Sequence, residues 1–244
     1  MNVVAAVLAV ALSTTAPPAD PVREAVHRIF DEGHAPAAML TVGGRSYRAG
    51  DIPANAHVRI GSNTKAFVSV VVLQLVAEGK VTLDDTAEKY VPQVHDVTVR
   101  QLLQHTSGLP EYTESIGLDR PDEVRHRYLR PHDLLDVALA QPRQFPPGTQ
   151  FRYTNTNYVV LGLLVQHVTG RPIQEQIATR VIDHLKLRDT YWPGEGEEGL
   201  RKPFVRGVHR ADERDPGSPL IDVTEMDPSW AWAAGELVST TKDL

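Results

Sequence analysis

Arg59-Ile60-Gly61-Ser62-Asn63-Thr64-Lys65 runs straight into Ala66-Phe67-Val68-Ser69-Val70-Val71-Val72-Leu73-Gln74-Leu75-Val76-Ala77-Glu78-Gly79. The second stretch is apolar nearly all round, the pattern of a helix in the middle of a domain. Its β-branched residues are poor helix formers, so burial has to hold it. Lys65, Gln74 and Glu78 argue against a membrane, and Gly79 suits the end of the helix. The expected helix runs from Ser62 or Asn63 to Glu78. A serine and a lysine three apart share one helix face. A helix start also supplies unpaired N–H groups and a potential that favours an oxyanion. Ser62 can equally be a plain N-cap after Gly61. Lys65 is the less expected residue, because the first turn of a helix disfavours a cation.

Outward from this helix, Val22 to Glu32 carries a helical stripe that Gly33 ends. Ala37 to Val42 and Arg45 to Ala49 read as strands joined by a Gly43-Gly44 hairpin turn. Thr98 to Gln104 opens with a capping box, and Pro131 sits at the first position of a helix to about Ala140. Thr156 to Val168 and Pro172 to about Ile182 are further helices, and Phe204 to Val208 is a weak strand. The expected fold class is α+β, an antiparallel sheet with a large, mostly helical subdomain over about 80–192. Two early strands make a marginal sheet, so more strands are expected beyond Leu244.

The chain has 244 residues, enough for a sizeable core. Hydrophobic residues make up 41 % and charged residues 23 %, ordinary for a globular protein. The formal net charge of −6 opposes a polyanion, and the basic stretch of Arg120, Arg125, Arg127 and Arg130 is diluted by Asp119, Asp122, Glu123 and Asp133. No nucleic-acid partner is expected. There is no cysteine, which excludes disulfides, thiol nucleophiles and thiolate metal sites. His27 and His34 are seven apart and no HExxH is present, so no metal and no cofactor are expected. Residues 3–12 form an apolar run too short to span a bilayer. Residues 1–19 therefore read as a signal-peptide-like segment, with 20–244 as the domain and a secreted or extracytoplasmic location. No basic residue precedes the run, so a buried helix is the other reading.

The chemistry needs a base for Ser62. His105 has no acid at useful spacing, which leaves Lys65, Tyr153 or both. Free lysine and tyrosine titrate near 10, so either must be tuned downward, and their titrations would be coupled.

S-x-x-K at Ser62 to Lys65, Tyr153-Thr154-Asn155 ninety residues on, and His105-Thr106-Ser107-Gly108-Leu109 between them together resemble the serine beta-lactamase and penicillin-binding-protein superfamily. The branch most similar is the secreted actinobacterial D-alanyl-D-alanine carboxypeptidases, relatives of class C beta-lactamases. The resemblance runs from about residue 22 onward and includes Trp230 to Leu244. It implies a covalent acyl-enzyme on Ser62, proton transfer by Lys65 and Tyr153, substrate and lysine contacts from Asn155, and a pocket wall at Trp230. Trp232 reads as core filler, His105 as a turn residue, and Tyr112 and Thr113 as possible cleft residues. It further implies a serine-type D,D-carboxypeptidase acting as a monomer on peptidoglycan stem peptides or other D-amino-acid peptides, and reacting with beta-lactam antibiotics. A beta-lactamase or esterase on the same scaffold, or an inactive homologue, remains the alternative. The family's third motif, a Lys/His-Thr/x-Gly triplet on a core strand, has no counterpart in a suitable place. The resemblance therefore implies an incomplete domain with C-terminal strands missing.

Overall fold

The computed structural model describes residues 20–32, 36–118, 124–211, 215 and 217–244. The leader-like segment 1–19, Gly33 and His34, and residues 119, 120, 122 and 123 of the mixed-charge stretch lie outside them. The chain divides at Gly50–Asp51 into two compact units.

The smaller unit holds helix α1 (Pro21–Glu32) and the hairpin β1 (Ala37–Val42) and β2 (Arg45–Gly50). The hairpin pairs Val42 with Arg45 across Gly43-Gly44, as the turn chemistry predicts. Its core is small: Val26 of α1 packs with Tyr47 and Ala49 of β2.

The larger unit is mostly helical. Helix α2 (Thr64–Ala77) is preceded by a 3-10 turn over Gly61–Asn63 that carries Ser62. Next come α3 (Val99–Leu103), α4 (Pro131–Leu139), α5 (Thr156–Thr169) and α6 (Ile173–Ile177). A π turn at Ala178–Ile182 and the short α7 (Asp183–Leu185) carry the helix that was expected to stop near Ile182 three residues further. The capping box at α3 is present, with Thr98 Oγ1 accepting from Gln101 N and Gln101 Oε1 from Thr98 N. Pro131 opens α4.

Helices α2 and α5 form the centre. Val68, Val71, Val72 and Leu75 from α2 and Val159 to Leu161 and Leu164 from α5 are fully buried. Gly162 explains how close the next layer comes. A Cβ there would sit 2.7 Å from both the Trp232 ring and the Ala233 Cβ, so only glycine lets the 228–235 segment lie on α5.

Three differences from the sequence expectations stand out. Helix α2 is not enclosed: Val70 and Leu73 are 42 % and 48 % exposed, on one stripe with Ala66 and Ala77. Apolar composition alone does not say whether a neighbour covers each face. The single antiparallel sheet is replaced by three two-stranded ladders, β1–β2, β3–β6 and β4–β5. Here β3 is Val58–Arg59, β4 Val208–Arg210, β5 Leu220–Asp222 and β6 Val238–Ser239. The weak strand at 204–208 is displaced: Phe204 makes only a bridge to His57, and pairing starts at Val208. Each described strand pairs with one other strand of the chain, in small antiparallel ladders rather than one sheet. For the site, β3–β6 matters most. It ties the run into Ser62 to the segment after Trp232, with Ile60 N donating to Leu237 O.

Candidate active site

Gly61 and Ser62 turn off β3 into α2, and this places Ser62 at the mouth of a cavity of about 310 Å³. Arg59, Asn155, Tyr112, Met226, Trp230 and Ala234 are among the residues that line the cavity. Lys65, the second residue of α2, lies beneath Ser62 and is only 5 % exposed. Its Nζ donates to Ser62 Oγ at 2.9 Å, to Asn155 Oδ1 at 2.8 Å and to Ala234 O at 2.6 Å. Three acceptors satisfy the three N–H bonds of an ammonium group. Burial still disfavours the charge and lowers the Lys65 pKa to about 8; the negative Glu111 opposes that shift.

Tyr153 approaches from the other side. Its Oη lies 2.6 Å from Ser62 Oγ and 3.5 Å from Asn155 Oδ1. The Lys65 ammonium stands 4.9 Å from the centre of the Tyr153 ring, within cation–π range. The serine hydroxyl therefore touches an amine whose pKa is lowered to about 8 and a phenol at once. Such a pair can take up a proton from Oγ and hand it to a leaving group, which is the need of nucleophilic catalysis by serine.

The His105–Gly108 loop builds the Tyr153 side. Its carbonyls hold the chain that leads to the tyrosine: His105 O accepts from Arg152 N, Thr106 O from Gly148 N, and Gly108 O from Gln144 N. A Cβ on Gly108 would lie 2.0 Å from Phe145 O, and its φ is +70°, so glycine is required for this approach. The His105 ring stacks on Tyr153, centroids 4.5 Å apart and 26° between planes. Its Nδ1 faces Thr154 N at 3.3 Å and Asn157 Nδ2 at 3.1 Å. Both are donors, which assigns Nδ1 as the acceptor and the proton to Nε2. Burial, helped by the Lys65 charge, lowers the His105 pKa and keeps the ring neutral. Ser107 Oγ donates to Asn157 Oδ1 at 2.6 Å and closes this network.

The five residues singled out from sequence thus fall at one place. Ser62, Lys65, Tyr153 and Asn155 make direct contacts, and Trp230 lines the same cavity. Trp232 is in the core against α5, as expected of filler. Tyr112 also lines the cavity and donates from its hydroxyl to Trp230 O at 2.8 Å; Thr113 instead turns to Glu111.

Sequence reading missed Glu111. Its Oε2 accepts from Asn155 N at 2.6 Å and its Oε1 from Thr113 N and Oγ1 at 3.0 Å each. One carboxylate so holds the backbone of Asn155 and places a negative charge near Lys65. The only cue in the sequence was its position right after the His105–Leu109 phrase. Arg59 was also missed as a lining residue. Among the described residues no group of three or more His, Asp or Glu is arranged to hold a metal, and no helix is long and apolar enough to cross a membrane.

A serine, a lysine three residues on and a tyrosine-x-asparagine converging at one hydroxyl agree with a match of residues 22–244 to the Beta-lactamase family model. The chain belongs to the beta-lactamase family. Among solved structures, a D-stereospecific amidohydrolase from Streptomyces sp. is 35 % identical with a TM-score of 0.83, covering 91 % of this chain and 69 % of that one. The D-amino acid amidase from Ochrobactrum anthropi SV3, solved with D-phenylalanine, is 27 % identical with a TM-score of 0.75, covering 92 % and 69 %. Protein flp from Staphylococcus aureus strain MW2 is 30 % identical over 195 residues, 76 % of this chain. The chain spans only 36 % of that relative's length. The expected resemblance to carboxypeptidases is thus met at the level of the superfamily, while these two solved relatives are named for D-stereospecific amide hydrolysis.

Proposed function

We propose that this chain is a serine hydrolase that cleaves an amide bond adjoining a D-amino acid through an acyl-enzyme on Ser62. The observation that carries this reading is the convergence of Lys65 Nζ, at 2.9 Å, and Tyr153 Oη, at 2.6 Å, on one hydroxyl. Ser62 Oγ attacks the carbonyl carbon, and its proton passes to the Lys65–Tyr153 pair. The carbonyl oxygen becomes an oxyanion beside the turn that opens α2, where the helix potential favours negative charge. The C–N bond breaks, and the departing nitrogen takes the proton from the same pair. A water molecule then adds to the ester, loses a proton to the pair, and the acid leaves as Ser62 regains its hydrogen. Asn155 links the two halves, accepting from Lys65 while its own backbone is held by Glu111.

The D-amino-acid part rests on the two solved relatives whose names state that specificity. A D,D-carboxypeptidase acting on cell-wall stem peptides outside the cytoplasm is the narrower form of this reading. Hydrolysis of D- and L-alanine p-nitroanilide, D-alanyl-D-alanine peptide and nitrocefin by the wild type and Ser62→Ala tests it. The expected result is turnover of D but not L substrates, abolished in Ser62→Ala. Equal turnover by Ser62→Ala sinks the mechanism, and preference for the L-anilide sinks the substrate class. Faster turnover of nitrocefin than of any peptide or amide assigns a beta-lactamase instead.

A further inference from the structure

Lys65 meets a second aromatic ring besides Tyr153. Tyr158, in the first turn of α5, holds its ring centroid 5.5 Å from Lys65 Nζ, against 4.9 Å for Tyr153. Both distances fall within the roughly 6 Å range of a cation–π contact. The His105 ring touches both tyrosines, with centroids 4.5 Å from Tyr153 and 5.5 Å from Tyr158. Three rings thus stand in contact, and the ammonium group sits over the outer two. Asn155, three residues before Tyr158, accepts from the same ammonium. The start of α5 therefore holds the lysine with an oxygen and a ring together.

Tyr158 is buried, and its hydroxyl lies 2.9 Å from Ser69 Oγ. Ser69 follows Lys65 by four residues, so both stand on one face of α2. Burial raises the Tyr158 pKa, with the Ser69 hydrogen bond opposing. The phenol stays neutral and is no second base; what it offers the lysine is its ring. The other groups that meet Lys65 are Glu111, which is negative, His105, which is neutral, Tyr153, and the oxygens of Ser62, Asn155 and Ala234. A ring quadrupole favours the ammonium form, as Glu111 does, and burial opposes both. Unlike a carboxylate, the ring does so without taking an N–H bond, which leaves all three for Ser62, Asn155 and Ala234.

We propose that Tyr158 is a positioning residue for the reaction at Ser62: its ring holds the Lys65 ammonium beneath the serine and favours the protonated state. It acts through Lys65. This deepens the serine-hydrolase reading, and its effect on rate rests on that reading. Lys65 has to share in taking a proton from Ser62 Oγ and in returning one to the departing nitrogen. An amine stripped of its charge by burial does the first and fails at the second. The Tyr158 ring offsets part of that burial and keeps the lysine able to do both.

The test reads the Lys65 titration itself. The protein is labelled with ¹³C at the lysine ε carbons and followed by NMR from about pH 6 to about 11, and Lys65→Met assigns the Lys65 signal. Three changes at position 158 are compared with the wild type. Tyr158→Phe keeps the ring and loses the contact to Ser69; its midpoint should stay close to the wild-type one. Trifluorophenylalanine at the same position keeps that shape and weakens the quadrupole; its midpoint should fall below that of Tyr158→Phe. Tyr158→Leu removes the ring, and the midpoint should fall by about half a unit to one unit. The fluorinated variant preserves packing, so it decides the matter where Tyr158→Leu does not fold. The pH limb of hydrolysis should move with the midpoint, and Tyr158→Phe should keep most of the rate. A ring that served packing alone would lower Tm when removed and leave the midpoint in place. A midpoint no lower in the fluorinated variant than in Tyr158→Phe overturns the proposal, whatever the rate does. The expected order of midpoints in a protein without hydrolysis upholds it and sinks the hydrolase reading alone.

Discussion

The two sides of Ser62 are built differently. Lys65 stands on a helix locked into the core, is 5 % exposed, and is fixed by three hydrogen bonds. Tyr153 stands on an irregular segment and is 45 % exposed, held by the His105 ring behind it and by a loop zipped to the chain before it. One side is tuned by burial and the other by support. Burial changes a proton affinity, because removing water penalises the charge. Support changes only where a group sits, at little electrostatic cost. The comparison predicts that damage to the lysine side shows up in pH dependence and damage to the tyrosine side in rate alone.

The largest effect is expected for Lys65→Met, which keeps the packed stem but removes the amine. Hydrolysis should fall by about 10³ or more, a loss at the upper part of the range for acid–base groups. Steady-state kinetics on a D-amino-acid anilide check this, and a loss below tenfold would leave Tyr153 as the sole base. Tyr153→Phe should cost about 10²–10³ by the same measure.

The wild-type rate should rise with pH through about 8, where Lys65 loses its proton. Glu111 raises the lysine pKa, so Glu111→Gln should shift that limb to lower pH. A limb that stays in place breaks the assignment of the titration to Lys65. His105→Ala should lower kcat about tenfold and leave the limb close to its wild-type position, with His105→Phe recovering part of the rate by restoring the stack. An equal shift in the limb for His105→Phe and Glu111→Gln would erase the distinction between the two sides.

The last effect concerns stability rather than rate. Burial raises the Glu236 carboxyl to about 8, and its Oε2 lacks a hydrogen-bond partner. The folded state then holds a proton that the unfolded chain, titrating near 4.3, releases. Stability should fall as pH rises from about 4 to about 8 and then level off. Glu236→Gln removes that charge and should flatten the dependence, as Tm measured from pH 5 to 9 reports.

Much of the fold was legible. The Gly43-Gly44 turn, the capping box at Thr98 and Pro131 at a helix start are local signals, and local hydrogen bonding reads them directly. The short ladders β3–β6 and β4–β5 were not legible, because two- and three-residue strands carry no periodicity. Glu111 escaped, and so did the stacking of His105 on Tyr153, for a related reason. Glu111 earns its place through Asn155, forty-four residues away, and His105 through Tyr153, forty-eight away; neither partner is written into the local pattern.

Spacing alone predicted that Ser62 and Lys65 lie about one turn apart on one face, and the 3-10 turn leading into α2 keeps them in contact although α2 itself starts at Thr64. Composition established a core large enough to bury that helix. Folding in three dimensions decided the rest: that Tyr153 and Asn155 arrive at the same hydroxyl, that Trp230 lines the cavity at Ser62, and that α2 keeps one face open to water. Long-range packing makes those choices, because which surfaces meet depends on every intervening turn at once.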